Sequence, residues 1–179
     1  LAHVPLLVRE GAGQWTFRGS RLTLDGRIEV ADRRDPARFH PLVSDDFDLT
    51  LAGNRVEAGG WLAHPSSGIR VTRAAIAHDL GSGAGYAVLE VPGITFGDSL
   101  QPEQLTPLTL GVVSLVHGTV TGEGRIEWDA QGARSTGTFS TAGMNLAAPF
   151  GPVEGLSTTI RFTDLLGLAS APGQVAEVD

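Results

Sequence analysis

Between residues 116 and 128 the chain alternates with a period of two. Val116, Gly118, Val120, Gly122, Gly124, Ile126 and Trp128 share one parity, while Thr119, Thr121, Glu123, Arg125, Glu127 and Asp129 share the other. Successive side chains of an extended strand point to opposite faces, so this run reads as a long strand with one apolar and one wet face. It opens a stretch, 113–168, around which the rest of the chain is organised. Asp129-Ala130-Gln131-Gly132 supplies turn chemistry, and the chain returns through Ala133, Ser135, Gly137 and Phe139. With Ala130-Gln131 as the tip, Phe139 lies opposite Gly122, an aromatic ring covering a glycine gap. A third segment puts Met144, Leu146 and Ala148 on one side. After Gly151-Pro152 a fourth does the same with Leu156, Ile160 and Phe162. The expected result is an antiparallel meander whose single apolar face needs a cover.

The same device recurs upstream without an exact repeat. Residues 4–8 and 14–17 read as short strands separated by Gly11-Ala12-Gly13. Two readings stand for 21–30. A three-residue turn at Asp25-Gly26 would pair Leu24 with Ile28 and Leu22 with Val30; alternatively this is one long strand bulged at Gly26. Residues 33–41 hold Pro36 and Pro41 and no periodicity, and read as a loop. Further strands are expected at 48–51, 55–62, 68–77, 86–91 and 94–96, with only 102–105 helical, for a single turn. Roughly ten to thirteen strands with closely spaced turns make an all-β architecture. With 179 residues and no linker, the chain is expected to be one segment, 1–179. Its first residue, Leu1, leads to the expectation of a piece of a longer protein, with any anchor outside it.

Composition removes several function classes. A formal charge of −7 argues against nucleic acid, since phosphate binding needs a basic stripe. The absence of cysteine removes disulfides, thiolate catalysis and cysteine metal sites. The longest apolar run, 110–116, is far short of the ~20 residues of a membrane-spanning helix. His3, His40, His64, His78 and His117 show no ligand spacing. Ser44-Asp45-Asp46-Phe47-Asp48 lacks the pattern of a calcium loop and reads as a solvated loop entering a strand. Gly81-Ser82-Gly83-Ala84-Gly85 precedes a strand-like segment, so no helix dipole backs a phosphate cradle. His78-Asp79 beside Ser82 lacks a nucleophile elbow. Glu123, Glu127 and Asp129 lie on an ordinary outer strand face. No enzyme and no cofactor is expected.

What remains is the apolar face. It either folds over and fills its own core with Trp61, Trp128, Phe139 and Phe162, or curls into an open trough. The small residues Gly118, Gly122, Gly124, Gly137 and Ala148 on that face leave room and help a sheet curve. Pattern alone leaves both readings open.

Several strings, taken in order, add a resemblance. They are His78-Asp79-Leu80 with Gly83-x-Gly85, Leu100-Gln101-Pro102-Glu103 before Leu105 and Leu108, and Gly111-Val112-Val113. Then come Gly118-x-Val120-x-Gly122-x-Gly124-x-Ile126-x-Trp128, Gly137-x-Phe139 and Phe150-Gly151-Pro152-Val153. Gly155-Leu156, Phe162-Thr163-Asp164-Leu165-Leu166-Gly167-Leu168 and Gly173-Gln174 complete the set. Over about 48–174 the chain resembles the YdbH-like branch of the AsmA-like, TamB-related inter-membrane lipid-transport proteins; the first forty residues carry none of these strings. That resemblance implies a β-taco, a long antiparallel sheet curled around an open hydrophobic groove. It implies a periplasmic bridge, anchored in the inner membrane by a segment absent here, that carries phospholipid toward the outer membrane with a small outer-membrane lipoprotein as partner. It assigns no catalytic residue. The groove residues expected here are Val116, Val120, Ile126, Trp128, Phe139, Met144, Leu146, Leu156, Ile160 and Phe162. The alternative is a scaffold binding protein partners through its sheet edges. The dicarboxylate-transport label also attached to this domain has little support, because Arg125, Arg134 and Arg161 lie on the wet parity.

Substituting Val120→Glu or Ile126→Glu separates the two readings of the apolar face. In an open trough lipid binding is lost while the fold persists; in a filled core the protein unfolds, as far-UV circular dichroism would show.

Overall fold

The computed structural model describes residues 6–179; His3 and the beginning of the strand expected at 4–8 lie outside the described residues. Nine long strands follow one another: β1 (Leu6–Arg18), β2 (Arg21–Asp32), β3 (Leu42–Ala52), β4 (Arg55–Ala63), β5 (Arg70–Asp79), β6 (Gly85–Phe96), β7 (Ser114–Asp129), β8 (Gly132–Ala148) and β9 (Gly151–Asp164). Each pairs antiparallel with the next. Two short strands, β10 (Ala169–Ser170) and β11 (Ala176–Glu177), both return to β9. The whole is one meander sheet that does not close into a barrel.

The period-two reading of β7 holds. Val116, Gly124, Ile126 and Trp128 are buried, while Thr119, Thr121, Glu123 and Arg125 are exposed. Asp129 pairs with Gly132, so Ala130-Gln131 is the tip, and Phe139 stands opposite Gly122. A Cβ on Gly122 would lie 2.6 Å from Phe139 Cδ1, so the ring occupies the space a side chain would take. Register partners carry this face across the sheet: Leu49, Ala58, Ile76, Ala87, Ile126 and Ser135 form one continuous row from β3 to β8.

Bulges account for the main departures from the expected strands. β2 is the single long strand, shifted against β3 between Gly26 and Ile28, rather than a hairpin. β6 runs unbroken past Pro92-Gly93, where its register with β7 slips, because a bulge tolerates the missing N–H of proline. The acidic run at 44–48 lies within β3 and is not a loop. Its register with β4 jumps between Val43 and Asp48, and Asp46 Oδ1 fills the gap by accepting the Trp61 N–H at 2.8 Å. Trp61 is not in the core; it is stacked with the Arg70 guanidinium 5.1 Å from its ring. The expected turn at 102–105 is a 3-10 turn, Pro102–Gln104, and a second one follows at Pro107–Thr109, capped by the Thr106 hydroxyl.

Two loops cover the concave face. Residues 33–41 join β2 to β3 and 97–113 join β6 to β7, yet they meet: Thr106 Oγ1 donates to Arg38 O at 2.6 Å and His40 N to Leu105 O at 2.8 Å. From the second loop Leu100, fully buried, inserts against Val91 and Ile94 with Val120 and Phe139 beside it. Gln101 secures that insertion through both backbone groups of Val116. The first loop is held by Asp32, whose carboxylate accepts from Arg38 Nε at 2.7 Å, from a second guanidinium nitrogen at 2.8 Å and from the backbone N–H groups of Arg38 and Arg34. Burial of the carboxyl opposes ionisation, but these Arg38 and Arg34 contacts outweigh it and lower its pKa to about 2.

An ionised Asp32 therefore favours the folded state. Its contribution, roughly 2 kcal/mol, is complete above the ordinary carboxylate range and disappears as the pH falls from 3.8 through about 2. Asp32→Asn leaves Arg38 without its partner and is expected to lower the urea-unfolding free energy by about 2–3 kcal/mol at pH 7, with the pH dependence flattened over that window.

Candidate functional site

Where the loops leave the concave face uncovered, the rows of inward side chains form a narrow trench. Ile28 and Val30 of β2, Leu42 and Phe47 of β3, Leu62 of β4, Ala74 and Ile76 of β5, Ala87 and Leu89 of β6 and Ile126 of β7 line it. Phe39 enters from the 33–41 loop, and Leu165 and Leu166 from the turn after β9. The cavity measures about 190 Å³. Leu6 of β1 completes the lining, so seven successive strands, β1 to β7, contribute to it.

The trench offers almost no polar chemistry. Two hydroxyls line it, and both are engaged within the sheet: Thr72 Oγ1 donates to Glu90 O at 2.9 Å and Ser44 Oγ to Asp46 Oδ1 at 3.2 Å. A cavity lined in this way stays dry and favours hydrocarbon. Arg125 and Arg134 lie on the wet face, where both bond Glu127, at 2.8 and 2.9 Å. Arg125 and then Arg134 hold the Glu127 carboxyl below its usual range. Neither arginine lines the trench.

The remaining polar strings resolve into structural roles. His78 is buried on the concave face, where its Nδ1 accepts the Trp128 indole N–H at 3.0 Å; that bond fixes Nδ1 as the unprotonated nitrogen. Asp79 instead accepts from the backbone N–H and hydroxyl of Ser82, at 2.7 and 2.9 Å, in a tight turn. These Ser82 bonds hold the Asp79 carboxyl below its usual range. His78, Asp79 and Ser82 thus do not converge. Among the described residues no three His, Asp or Glu groups come close enough to hold an ion, and no helix is long and apolar enough to cross a membrane.

Of the ten groove residues expected from the sequence, Ile126 lines the trench. Trp128 packs beside it over Ala87, with its ring in the space above Gly85. Val120 and Phe139 surround Leu100, with Ile160 opposite Phe139 and Phe162 edge-on to it at 5.9 Å. Val116 and Met144 are buried; Leu156 pairs with Met144 and Leu146 with Val153, both half-buried. The trench itself is centred further toward the N-terminus. Alternation of Ile28 with Val30 and of Ala87 with Leu89 was the available signal. The glycines that made β7 and β8 look roomy have their space taken by Phe139 at Gly122, Met144 at Gly118 and Leu165 at Gly124.

Trp128→Phe removes the donor to His78 and leaves a buried ring nitrogen unsatisfied. A loss of about 2–4 kcal/mol in urea unfolding is expected, from the unsatisfied nitrogen together with the space the smaller ring leaves, with little change in far-UV circular dichroism.

A family model for YdbH-like proteins, described as intermembrane phospholipid transport protein YdbH, matches residues 1–179. The match includes the first forty residues, which carry none of the strings quoted above. No curated protein and no solved structure matches the chain. An all-β meander with a dry trench and a family match over its full length lead to one assignment: the chain belongs to the YdbH-like family of intermembrane phospholipid transport proteins.

Proposed function

We propose that the trench binds phospholipid acyl chains, and that the chain is one segment of a periplasmic bridge carrying phospholipid between inner and outer membranes. The observation that carries this reading is the trench lining, apolar over seven strands with its two hydroxyls already bonded. Each methylene removed from water contributes about 0.8 kcal/mol, and a cavity of about 190 Å³ takes part of a ~16-carbon chain, so the gain is roughly half of the ~10 kcal/mol that burying the whole chain would give. The phosphate head group stays in solvent and needs no buried counter-charge. Such a track is unspecific and non-catalytic. In this reading Val116, Val120, Trp128, Phe139, Met144, Leu146, Leu156, Ile160 and Phe162 extend the apolar face beyond Ile126. Inner-membrane anchorage of the full-length protein and a small outer-membrane lipoprotein partner belong to the same proposal, by the family resemblance.

A scaffold role is the second reading, and β1 favours it. Among the described residues no strand pairs with the outer side of β1, whose Trp15 and Phe17 are 69% and 62% exposed and offer apolar surface to a protein partner.

Organic extraction and mass spectrometry of detergent-free protein, beside an unrelated β-sandwich, discriminate between them. At Ile126, 2% exposed, the apolar face is filled rather than open, so Ile126→Glu is expected to unfold the protein, and the open part of the trench is tested at half-buried positions instead. Leu62 and Leu89 line the trench and are half-buried. Leu62→Glu or Leu89→Glu should remain folded and lower co-purifying phospholipid by about tenfold or more. A stable wild-type monomer free of lipid would set the acyl-chain reading aside in favour of the scaffold.

A further inference from the structure

The concave face continues past Ile126 onto β8 and β9, but the trench does not. Ser135 stands next to Ile126 in register, and Gly137 pairs with Phe162 on β9. Above these positions lies the turn that follows β9. Leu165 Cδ2 lies 2.5 Å from where a Cβ on Gly124 would stand and 3.3 Å from one on Gly137, so two glycines on adjacent strands form the notch that receives it. Leu166 packs on the buried group of Ala87, Ile126 and Trp128 and forms part of the trench wall. The turn is fastened to the sheet by polar contacts. Ser135 Oγ donates to Asp164 Oδ1 at 2.7 Å and accepts the Leu166 N–H at 3.0 Å, and Asp164 Oδ1 also accepts the Gly167 N–H at 3.2 Å. Ser135 is 3% exposed, a hydroxyl set within an apolar face. Leu168, which ends the turn, adopts φ +52°, a left-handed conformation uncommon for leucine.

We infer that Leu165 and Leu166 set the end of the acyl track in this segment, with Ser135 and Asp164 as the latch that holds them there. The inference rests on the acyl-chain reading of the trench. While the latch is closed, an acyl chain entering from the β2 side runs as far as Ile126 and stops. When the turn swings out, the trench joins the apolar face of β8 and β9, where Phe162 lies. A run of methylenes then covers the surfaces the two leucines leave, and Ser135, Asp164 and the turn amides are bonded by water. Leu100 covers the neighbouring part of that face but is tied to β7 through Gln101.

The test uses a phosphatidylethanolamine carrying a diazirine at one acyl terminus, presented in phosphatidylethanolamine–phosphatidylglycerol vesicles to the 179-residue chain. Photo-adducts are mapped by mass spectrometry. The chain has no cysteine, so S135C/D164C gives a single closable pair. Oxidised S135C/D164C should be labelled on β2–β7 and not on β9, with labelling at Phe162 restored by reduction. L165A/L166A should raise β9 labelling by about tenfold over the wild type, and decides the matter if the disulfide does not form. Equal β9 labelling in oxidised and reduced protein, or in wild type and L165A/L166A, overturns the stopper alone. No adducts on β2–β7 in the wild type overturns the acyl-chain reading and the stopper with it.

Discussion

A one-layer sheet with an apolar face has nothing of its own to pack against. Sandwiches solve this with a second sheet and α/β folds with helices. Here both solutions are missing among the described residues: one meander carries all the strands, and helical structure amounts to two 3-10 turns. The face is buried instead by its own curvature and by inserted side chains. Leu100 from the 97–113 loop and Leu165 and Leu166 from the turn after β9 supply the insertions. Contacts between the 33–41 and 97–113 loops then hold the cover in place, with Asp32 fastening the first of them. What these insertions do not reach is the trench.

Its chemistry follows from the same constraint. A sheet that satisfies its backbone through neighbouring strands has no spare donors or acceptors on its concave side. The few polar side chains there look inward to the fold: Thr72 to a strand carbonyl, His78 to Trp128, Ser135 to Asp164. The Arg125–Glu127–Arg134 group lies on the outer face, while the carboxylates of Asp32 and Asp164, at the ends of β2 and β9, are bonded to Arg38 and Ser135. An apolar surface without convergent polar groups discriminates weakly among hydrocarbon chains. Weak discrimination suits membership of an intermembrane phospholipid transport family.

Much of the sheet was legible in the sequence because period two and turn chemistry are local signals. The tip at Ala130-Gln131 and the pairing of Phe139 with Gly122 needed nothing beyond parity and one turn. Bulges were harder. A bulge shifts parity by inserting residues, and in 44–48 the inserted residues are acidic, so a strand presented itself as a loop until Asp46 was seen bonding the Trp61 amide. The placement of the trench was not legible. Glycine reads as vacancy in sequence, whereas the space above Gly118, Gly122 and Gly124 is filled by residues 17 to 41 positions away, a relation only the folded chain reveals. Likewise Leu100 and Leu165 sit in segments without periodicity, where nothing marks a leucine as turned inward.

The central claim is that an acyl chain lies across the strands, over β2 to β7. Anomalous diffraction from crystals of the chain loaded with phosphatidylethanolamine brominated along one acyl chain tests this directly. Bromine peaks between Ile28 and Ile126, in the cavity bounded by Phe47, Leu62, Ile76 and Leu89, are the predicted result. Peaks on the outer face beside Trp61 and Tyr86, or an empty trench in crystals that contain the lipid, would contradict it.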